Sequence, residues 1–555
     1  MVQASNRGVS VAANPLSGVH DPNFSLFYLL GISVSPFMLL ATDASVVTKI
    51  RKMQARVRWQ HPLIAERNID QTQLFIDDGG ADDTEFSFMV LGDSGTGRYR
   101  GDSPQRRVAK AMMEQGNDAR FCLHTGDVVY LVGSSEQYFD NFISPYREWL
   151  MGGEDPKTIA YDQMVFRQPI LPTLGNHDYY NLPFLFGAVS ALSNPIRKLL
   201  RSYVDLDIGW HGSYTGKAYA QAFMDCLINL DQPQLQAHLN NHYTAADGTC
   251  LRYIPGEFTR LPNRYYSFRY GGIDFFALDS NTFNIPPPIA AGQAGLDYRE
   301  RLTMRQTALE KERLALLEKA ARLDSNDPDQ AEQIGDLSGE AEQLEEEIRD
   351  IAKQLKPSPA EDINDTEQLN WLRDRLIASW QDSTCRGRLL YFHHPPYVTE
   401  ATKWSQAQTL AVRQNLRQVL TEVKQALGSL PENRPLVDLI INGHAHCLEY
   451  LRTANNGLAD ANIPCLVCGG SGYSLRRQRS NGPEVSEIID GKSQRVATSH
   501  LYIGRNGQGS KKRRPYSCLR IEVKAGNPLK FLVKPIVVEK FQHKWHQPNT
   551  DTLVL

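Results

Sequence analysis

The feature of this 555-residue chain that most constrains its fold is a recurrence. From about Glu85 onward, short apolar runs end in compact polar clusters and are separated by amphipathic stretches. Phe86–Leu91, Ala119–His124, Pro169–Leu174, Ile273–Leu278, Arg388–Phe392 and Val437–Ile441 read as buried strands, and their alternation with helical patterns is the signature of an α/β protein. Polar residues follow the C-terminal end of each run, where α/β sheets build their active sites. With 41% hydrophobic and 22% charged residues the chain is of ordinary globular composition, which excludes disorder, a collagen and a polytopic membrane protein. A net charge of −3 supplies no global basic field, so no specific nucleic-acid binding is expected and any phosphate preference is local.

Two stretches depart from the recurrence. Residues 24–41 are uncharged and close to the lower limit of about 17–25 residues for a membrane span. They make a poor signal peptide, and Pro36 interrupts them, so they read as a buried or interfacial segment or as an anchor. If they span, the basic cluster Lys49, Arg51, Lys52, Arg56 and Arg58 sits on the cytoplasmic side. In the second stretch, Leu302, Leu309, Leu316 and Leu323 recur every seven residues. After a turn, Ile334, Leu337, Ala341, Leu344, Ile348, Ile351 and Leu355 follow at alternating spacings of three and four. This is a coiled-coil-like helical hairpin inserted in the catalytic domain, either as an arm for self-association or a partner, or as two surface helices packed on the body. The expected division is therefore an N-terminal segment 1–83, a catalytic domain in two parts (84–295 and 361–541), the hairpin at 296–360 and a tail at 542–555. Eight cysteines are too few for a disulfide scaffold and lean toward a reducing compartment, cytoplasmic or membrane-associated rather than exported.

The polar clusters are Gly92-Asp93-Ser94-Gly95, Gly126-Asp127-Val128-Val129-Tyr130, Gly175-Asn176-His177-Asp178, His393-His394-Pro395-Pro396 and Gly443-His444-Ala445-His446. Any one alone is ordinary, since Gly-Asp after a strand is most often a turn and a lone His a satisfied core residue. All of them at successive strand ends would converge oxygen and nitrogen donors on one edge, as hard or borderline cations require. Two metals about 3.5–4 Å apart are the usual arrangement for phosphate-ester hydrolysis.

In these blocks the sequence resembles the calcineurin-like metallophosphoesterases, and within them the purple acid phosphatases, over roughly Glu85–Cys468 apart from the hairpin. Gly95 stands where most of that superfamily has the His of Asp-x-His, and Tyr130 stands in Gly-Asp-x-x-Tyr, where the purple enzymes carry a tyrosinate ligand. The resemblance implies a four-layer α/β/β/α sandwich of two sheets. It implies one metal held by Asp93, Asp127, Tyr130 and His446, and a second by Asp127, Asn176, His393 and His444, with Asp127 bridging. A tyrosinate argues for Fe(III) at the first site, paired with a divalent Fe, Zn or Mn ion. His177 would act as the acid toward the leaving alkoxide, with Asp178 either orienting it or serving as a helix N-cap. His394 would face substrate, support a ligand or be structural.

The implied activity is hydrolysis of small phosphate monoesters by metal-bound hydroxide. A phosphodiesterase or nucleotide-pyrophosphate hydrolase on the same metals is the alternative, and a scaffold acting through the hairpin a remote one. Other features have bland readings. Cys465-x-x-Cys468 reads as a buried strand and turn before a zinc half-site, and Lys511-Lys-Arg-Arg514 as a solvated hairpin loop before a contact to an anion. The long stretch from Leu182 to Pro262, containing Trp210, is expected to shape the mouth of the site.

Overall fold

The computed structural model describes residues 42–95, 103–130, 132–181, 212–244, 248–324, 328–355, 364–432, 434–489, 491–507, 511–526, 528–542 and 544–555. The run 24–41 and Trp210 lie outside these residues. Among the described residues no helix is long and apolar enough to cross a membrane.

In chain order the strands are β1 (Asp70–Ile76), β2 (Phe86–Leu91), β3 (Cys122–His124), β4 (Ile170–Pro172), β5 (Cys250–Tyr253), β6 (Tyr266–Tyr270), β7 (Ile273–Ala277), β8 (Gly387–Phe392) and β9 (Leu439–Asn442). There follow β10 (Leu448–Thr453), β11 (Pro464–Cys468), β12 (Glu484–Ile489), β13 (Lys492–Ile503), β14 (Arg513–Lys524), β15 (Lys530–Phe541), β16 (Lys544–His546) and β17 (Leu553–Val554). The helices are α1 (Val46–Arg56), α2 (Pro62–Ala65), α3 (Pro104–Gln115), α4 (Lys217–Phe223), α5 (Gln232–His242), α6 (Gln293–Ala321), α7 (Pro328–Leu355), α8 (Thr366–Gln381) and α9 (Ala407–Leu427).

One sheet has ten strands in the order β12-β13-β10-β11-β9-β8-β7-β6-β1-β5; the other runs β16-β15-β14-β2-β3-β4, with β17 pairing β15. Within them β2, β3 and β4 are mutually parallel, as are β7, β8, β9 and β11. All the strands expected from the apolar runs are present. Residues 1–83, set apart in sequence, contribute α1 and β1, and β1 sits between β5 and β6. Residues 542–555, read as a tail, add β16 and β17 to the edge of the second sheet.

The central strands are apolar without alternation because both of their faces are covered. Ile273, Phe275, Ala277, Leu389, Tyr391, Leu439, Ile441, Leu466 and Cys468 belong to the core between the sheets. Their neighbours Phe276, Leu390, Phe392, Ile440, Cys465 and Val467 point the other way, into a second core with Leu372, Leu376 and Trp380 of α8 and Val412, Leu416, Leu420 and Val423 of α9. This is the two-residue period of a strand divided between two layers. Across the inter-sheet core Phe88 meets Phe275 edge-on at 5.6 Å and Phe121 meets Phe268 at 5.6 Å. Each such ring contributes about 1.5–3 kcal/mol by leaving water. On the outer face of the second sheet, Val108, Ala109, Ala111 and Met112 of α3 join the same core. The fold is thus a mixed α/β sandwich of two sheets with helices outside. Cys465 and Cys468 fall on opposite faces of β11, so they cannot share a zinc ion, and all eight cysteines are free thiols.

The hairpin is real and does not project. α6 and α7 pair through Leu317, Ala320, Leu337 and Ala341, and Arg313 of α6 reaches Glu345 of α7 at 3.2 Å. α7 is the inner helix, fastened to the body along one side. Lys353 meets Asp43 at 2.9 Å, and the Asp350 carboxylate accepts from the backbone N–H groups of Ala407 (2.9 Å) and Gln408 (3.1 Å). The N-cap residue of α9, Gln406, makes no side-chain cap of its own, so the hairpin supplies one.

Candidate metal centre

Each polar cluster leaves the C-terminal end of a parallel strand: Asp93 after β2, Asp127 after β3, Asn176, His177 and Asp178 after β4, His393 and His394 after β8, and His444 and His446 after β9. The turns are tight enough to force three non-glycine residues into the left-handed region, Asp93 (φ 51°), Asp127 (φ 53°) and His444 (φ 65°). Each costs on the order of 1–3 kcal/mol and persists only where its surroundings over-determine it. Here they do: Asp93 N donates to Gly126 O (3.0 Å), His444 N to Asp93 Oδ2 (2.8 Å) and His177 N to Asp127 Oδ1 (2.9 Å). A Cβ on Gly443 would lie 2.5 Å from Asp93 Oδ2, so the glycine before His444 is required by close approach.

The structure brings the expected ligands together in two overlapping groups. Tyr130 Oη donates to Asp93 Oδ1 (3.0 Å) or Asp127 Oδ2 (2.9 Å) and lies 3.3 Å from His446 Nε2. His446 Nε2 is 3.5 Å from Asp93 Oδ1, and its Nδ1 is fixed by Ser474 O at 2.9 Å. On the other side, His393 Nε2 lies 3.3 Å from the same Asp127 Oδ2 and 3.0 Å from Asn176 Oδ1, with its Nδ1 on Thr125 O at 2.8 Å. His444 stands beside them, its ring 5.0 Å from that of His393 and its Nε2 3.1 Å from Gln408 Nε2. Donor atoms of Asp93, Asp127 and His393 lie close enough to share one cation, and so do those of His393, His394 and His444. All are buried.

The electrostatics of these groups can be read one by one. Burial, then the charges of Asp127 and Asp93, push the Tyr130 phenol well above its ordinary value, so by themselves these groups hold it protonated. A tyrosinate needs a strongly Lewis-acidic ion among the same oxygens. Burial alone would raise Asp127, but the imidazoles of His393 and His177 overcome it and hold the carboxyl low. Burial drives His444 well below the usual imidazole range, reinforced by the Lys403 ammonium. A neutral imidazole is the form that binds a metal.

The remaining expected residues are placed as follows. The His177 ring lies 4.3 Å from that of Tyr130 with the planes tilted by 40°, and its Nε2 is 4.0 Å from Asp127 Oδ2, over the first group. Asp178 accepts from the backbone N–H groups of Gly175 (2.9 Å), Asp127 (3.0 Å) and Val128 (3.3 Å), tying the β3 loop to the β4 loop. The residues after it form a turn rather than a helix, so it is no helix cap. Both ring nitrogens of His394 are engaged, Nδ1 with Ser280 Oγ (2.8 Å) and Nε2 with Asn284 Nδ2 (3.1 Å).

Sequence reasoning missed the residues that support these groups. Tyr473 stacks on Tyr130 at 4.0 Å with planes 6° apart, Tyr180 Oη accepts from Asn176 Nδ2 at 3.0 Å, and Gln408 meets His444. None sits in a recognisable motif. Only Gln408 carried a signal, as the first-turn polar residue of an amphipathic helix that follows the His393 cluster.

No protein family model matches the chain, and no curated protein matches it. Among solved structures, a purple acid phosphatase, PPD1, from yellow lupin (Lupinus luteus) seeds is similar at 12% identity and a TM-score of 0.39, over 85% of this chain and 53% of the lupin protein. GAP50, the anchor in the inner membrane complex of Plasmodium, is similar at 12% identity and 0.35, over 84% and 89%. PhoD is similar at 12% identity and 0.36, over 86% and 70%. The chain thus spans about half the length of the lupin protein. Likenesses this remote leave any functional reading to rest on the geometry of the site itself.

Proposed function

We propose that this chain is a metal-dependent phosphoester hydrolase with a two-metal centre. The observation that carries the reading is Asp127 Oδ2, which faces Tyr130 at 2.9 Å on one side and His393 at 3.3 Å on the other. One carboxylate oxygen shared between two nitrogen- and oxygen-rich groups is what a bridging ligand requires. Asp93, Asp127, Tyr130 and His446 would hold the first ion, with Fe(III) favoured by the phenol. Asp127, Asn176, His393 and His444 would hold a divalent second one. When bound, the pair supplies Lewis acidity toward a phosphoryl oxygen and toward the attacking water.

The chain's own residues do the rest. Asp178 and the Gly175 amide fix the loop that carries His177, so the imidazole stays over the phosphoryl position. His177 Nε2 holds a proton and passes it to the oxygen of the departing alcohol, a role that typically contributes about 10²–10⁴-fold. The body and α7 shield the groups from water, which strengthens every charge interaction within.

The test is metal content, visible absorption and hydrolysis of p-nitrophenyl phosphate by the purified protein. Iron with a visible band that disappears in Tyr130→Phe supports the purple-type reading. A colourless Mn or Zn protein that hydrolyses bis(p-nitrophenyl) phosphate faster than the monoester favours the diesterase. A protein that binds no metal and hydrolyses neither ester overturns both.

A further inference from the structure

On the side of α7 turned to the body, Gln343, Glu346, Asp350 and Lys353 recur at spacings of three, four and three. Three of them have partners that explain them. Gln343 accepts from Arg476 Nε at 2.7 Å, Asp350 caps α9, and Lys353 pairs with Asp43. Glu346 is different, because its partner Lys403 lies in the turn that leads into α9, whose Gln408 meets His444 Nε2 at 3.1 Å.

Its carboxylate pairs with the Lys403 ammonium. Lys403 is 1% exposed, and its charge helps to lower both His444 and His394. The same carboxylate lies within electrostatic reach of His446 and of Arg476. Arg476 is 2% exposed and its backbone N–H donates to the His446 carbonyl oxygen at 2.9 Å. Its Nη1 donates to Ser474 Oγ at 3.2 Å, in the residue whose carbonyl fixes His446 Nδ1. Its Nη2 is buried with no hydrogen-bond partner among the described residues. A guanidinium left with an unmade donor in the interior is costly unless an anion completes it.

Glu346 is thus one anion among a buried lysine, an incompletely bonded buried arginine and a ligand histidine, and it comes from an inserted helix rather than from the sheets. Resting on the metal-dependent reading above, we propose that Lys403 and Arg476 bind a phosphoryl oxygen of the substrate, in competition with the carboxylate of Glu346. Lys403 contributes a point charge, and Arg476 directional N–H donors. The hairpin then sets affinity: a substrate must displace a carboxylate already at the cation, which selects for multiply charged phosphoryl oxygens over singly charged anions.

The experiment is calorimetric titration of the full chain, metal-loaded and metal-free, with inorganic phosphate. Glu346→Gln removes the competing charge and is expected to tighten phosphate binding about tenfold or more. Lys403→Met and the double variant E346Q/K403M are expected to bind more weakly than the parent. If E346Q binds phosphate no better than the parent, or if K403M binds as the parent does, the proposal is overturned. Should E346Q fail to fold, Glu346→Asp, which withdraws the carboxylate by one methylene, is expected to tighten phosphate by a smaller factor; unchanged affinity overturns the proposal. Metal content and turnover of the parent are read separately. A parent without metal or turnover refutes the hydrolase reading, while the metal-free titrations still decide whether Lys403 binds phosphate against Glu346.

Discussion

The strand-end loops and the inner helix of the hairpin approach the same place with different means of control. In the loops, backbone holds the chemistry: Asp93, Asp127 and His444 are bent into the left-handed region, and amide donors seize their neighbours' carboxylates at 2.8–3.0 Å. In α7 the backbone is an ordinary helix, and everything it offers the site travels through side chains: Glu346 to Lys403, Asp350 to the start of α9, and the Arg349 guanidinium over Tyr180 at 5.2 Å. A strained loop locked by main-chain bonds has one arrangement. A helix attached by ion pairs and one cap can separate from its seat by local opening, without unfolding what lies beneath.

The largest effect that would break this contrast is at Asp127. Asp127→Ala is expected to lose bound metal and turnover together, by on the order of 10³-fold or more, since the cations contribute several kcal/mol of charge stabilisation. Elemental analysis and ester hydrolysis check it, and a metal-replete, active variant would show that the loops do not carry the centre. Next in size is Leu309→Ala in α6, a fully buried residue whose truncation is expected to cost about 2–5 kcal/mol. Hydrogen exchange should quicken in α6 and α7 and stay slow in the sheets; faster exchange throughout would mean that hairpin and body form one cooperative unit.

Smaller is Asp350→Ala, which uncaps α9 for about 0.5–2 kcal/mol and loosens Gln408 against His444. It is expected to lower metal affinity by ~10-fold while keeping the metal ligands intact, and Asp350→Asn should recover part of the loss. An unchanged affinity would confine the hairpin's influence to Glu346.

The smallest effect is a pH dependence. Burial alone would raise Glu346, but Lys403, His446 and Arg476 hold it down at about 2. A depressed carboxyl contributes stability above the ordinary glutamate range near 4.5, and loses it as pH falls toward about 2. Exchange protection of α7 relative to the sheets should therefore be constant above about pH 5 and fall below it. Glu346→Gln should flatten that profile.

What could be read in advance follows from which interactions leave a mark on local composition. β2, β7, β8 and β9 were legible because both faces are buried, and β2 occupies the expected Phe86–Leu91. The strands β12 to β15 leave no such mark because they alternate buried and half-exposed residues with Lys, Arg and Glu, as β14 does at Arg520, Glu522 and Lys524. In the site, the seven expected ligands lie in short clusters because five strand ends, those of β2, β3, β4, β8 and β9, deliver them. Asp178 was visible as a residue but not in what it does: its acceptors are spent on main-chain N–H groups of another loop, a contact that no spacing encodes. The hairpin was legible from its heptads and its seat was not. Glu346 and Asp350 look like the solvated side of a coiled coil until Lys403 and α9 are placed against them.

The pairing of β2 with β14 has a consequence for the order in which the molecule is made. Val90, two residues before the first cluster, forms its ladder with Leu519, near the opposite end of the chain. At synthesis rates of about 5–20 residues per second, roughly 20–90 s separate the two, and during that time the apolar edge Phe86–Leu91 has no neighbour on its β14 side. An open, uncharged strand edge is a template for pairing with another chain. A chain stopped before Arg513 is expected to precipitate or to stay bound to a chaperone, even though all seven expected metal ligands have been made by His446.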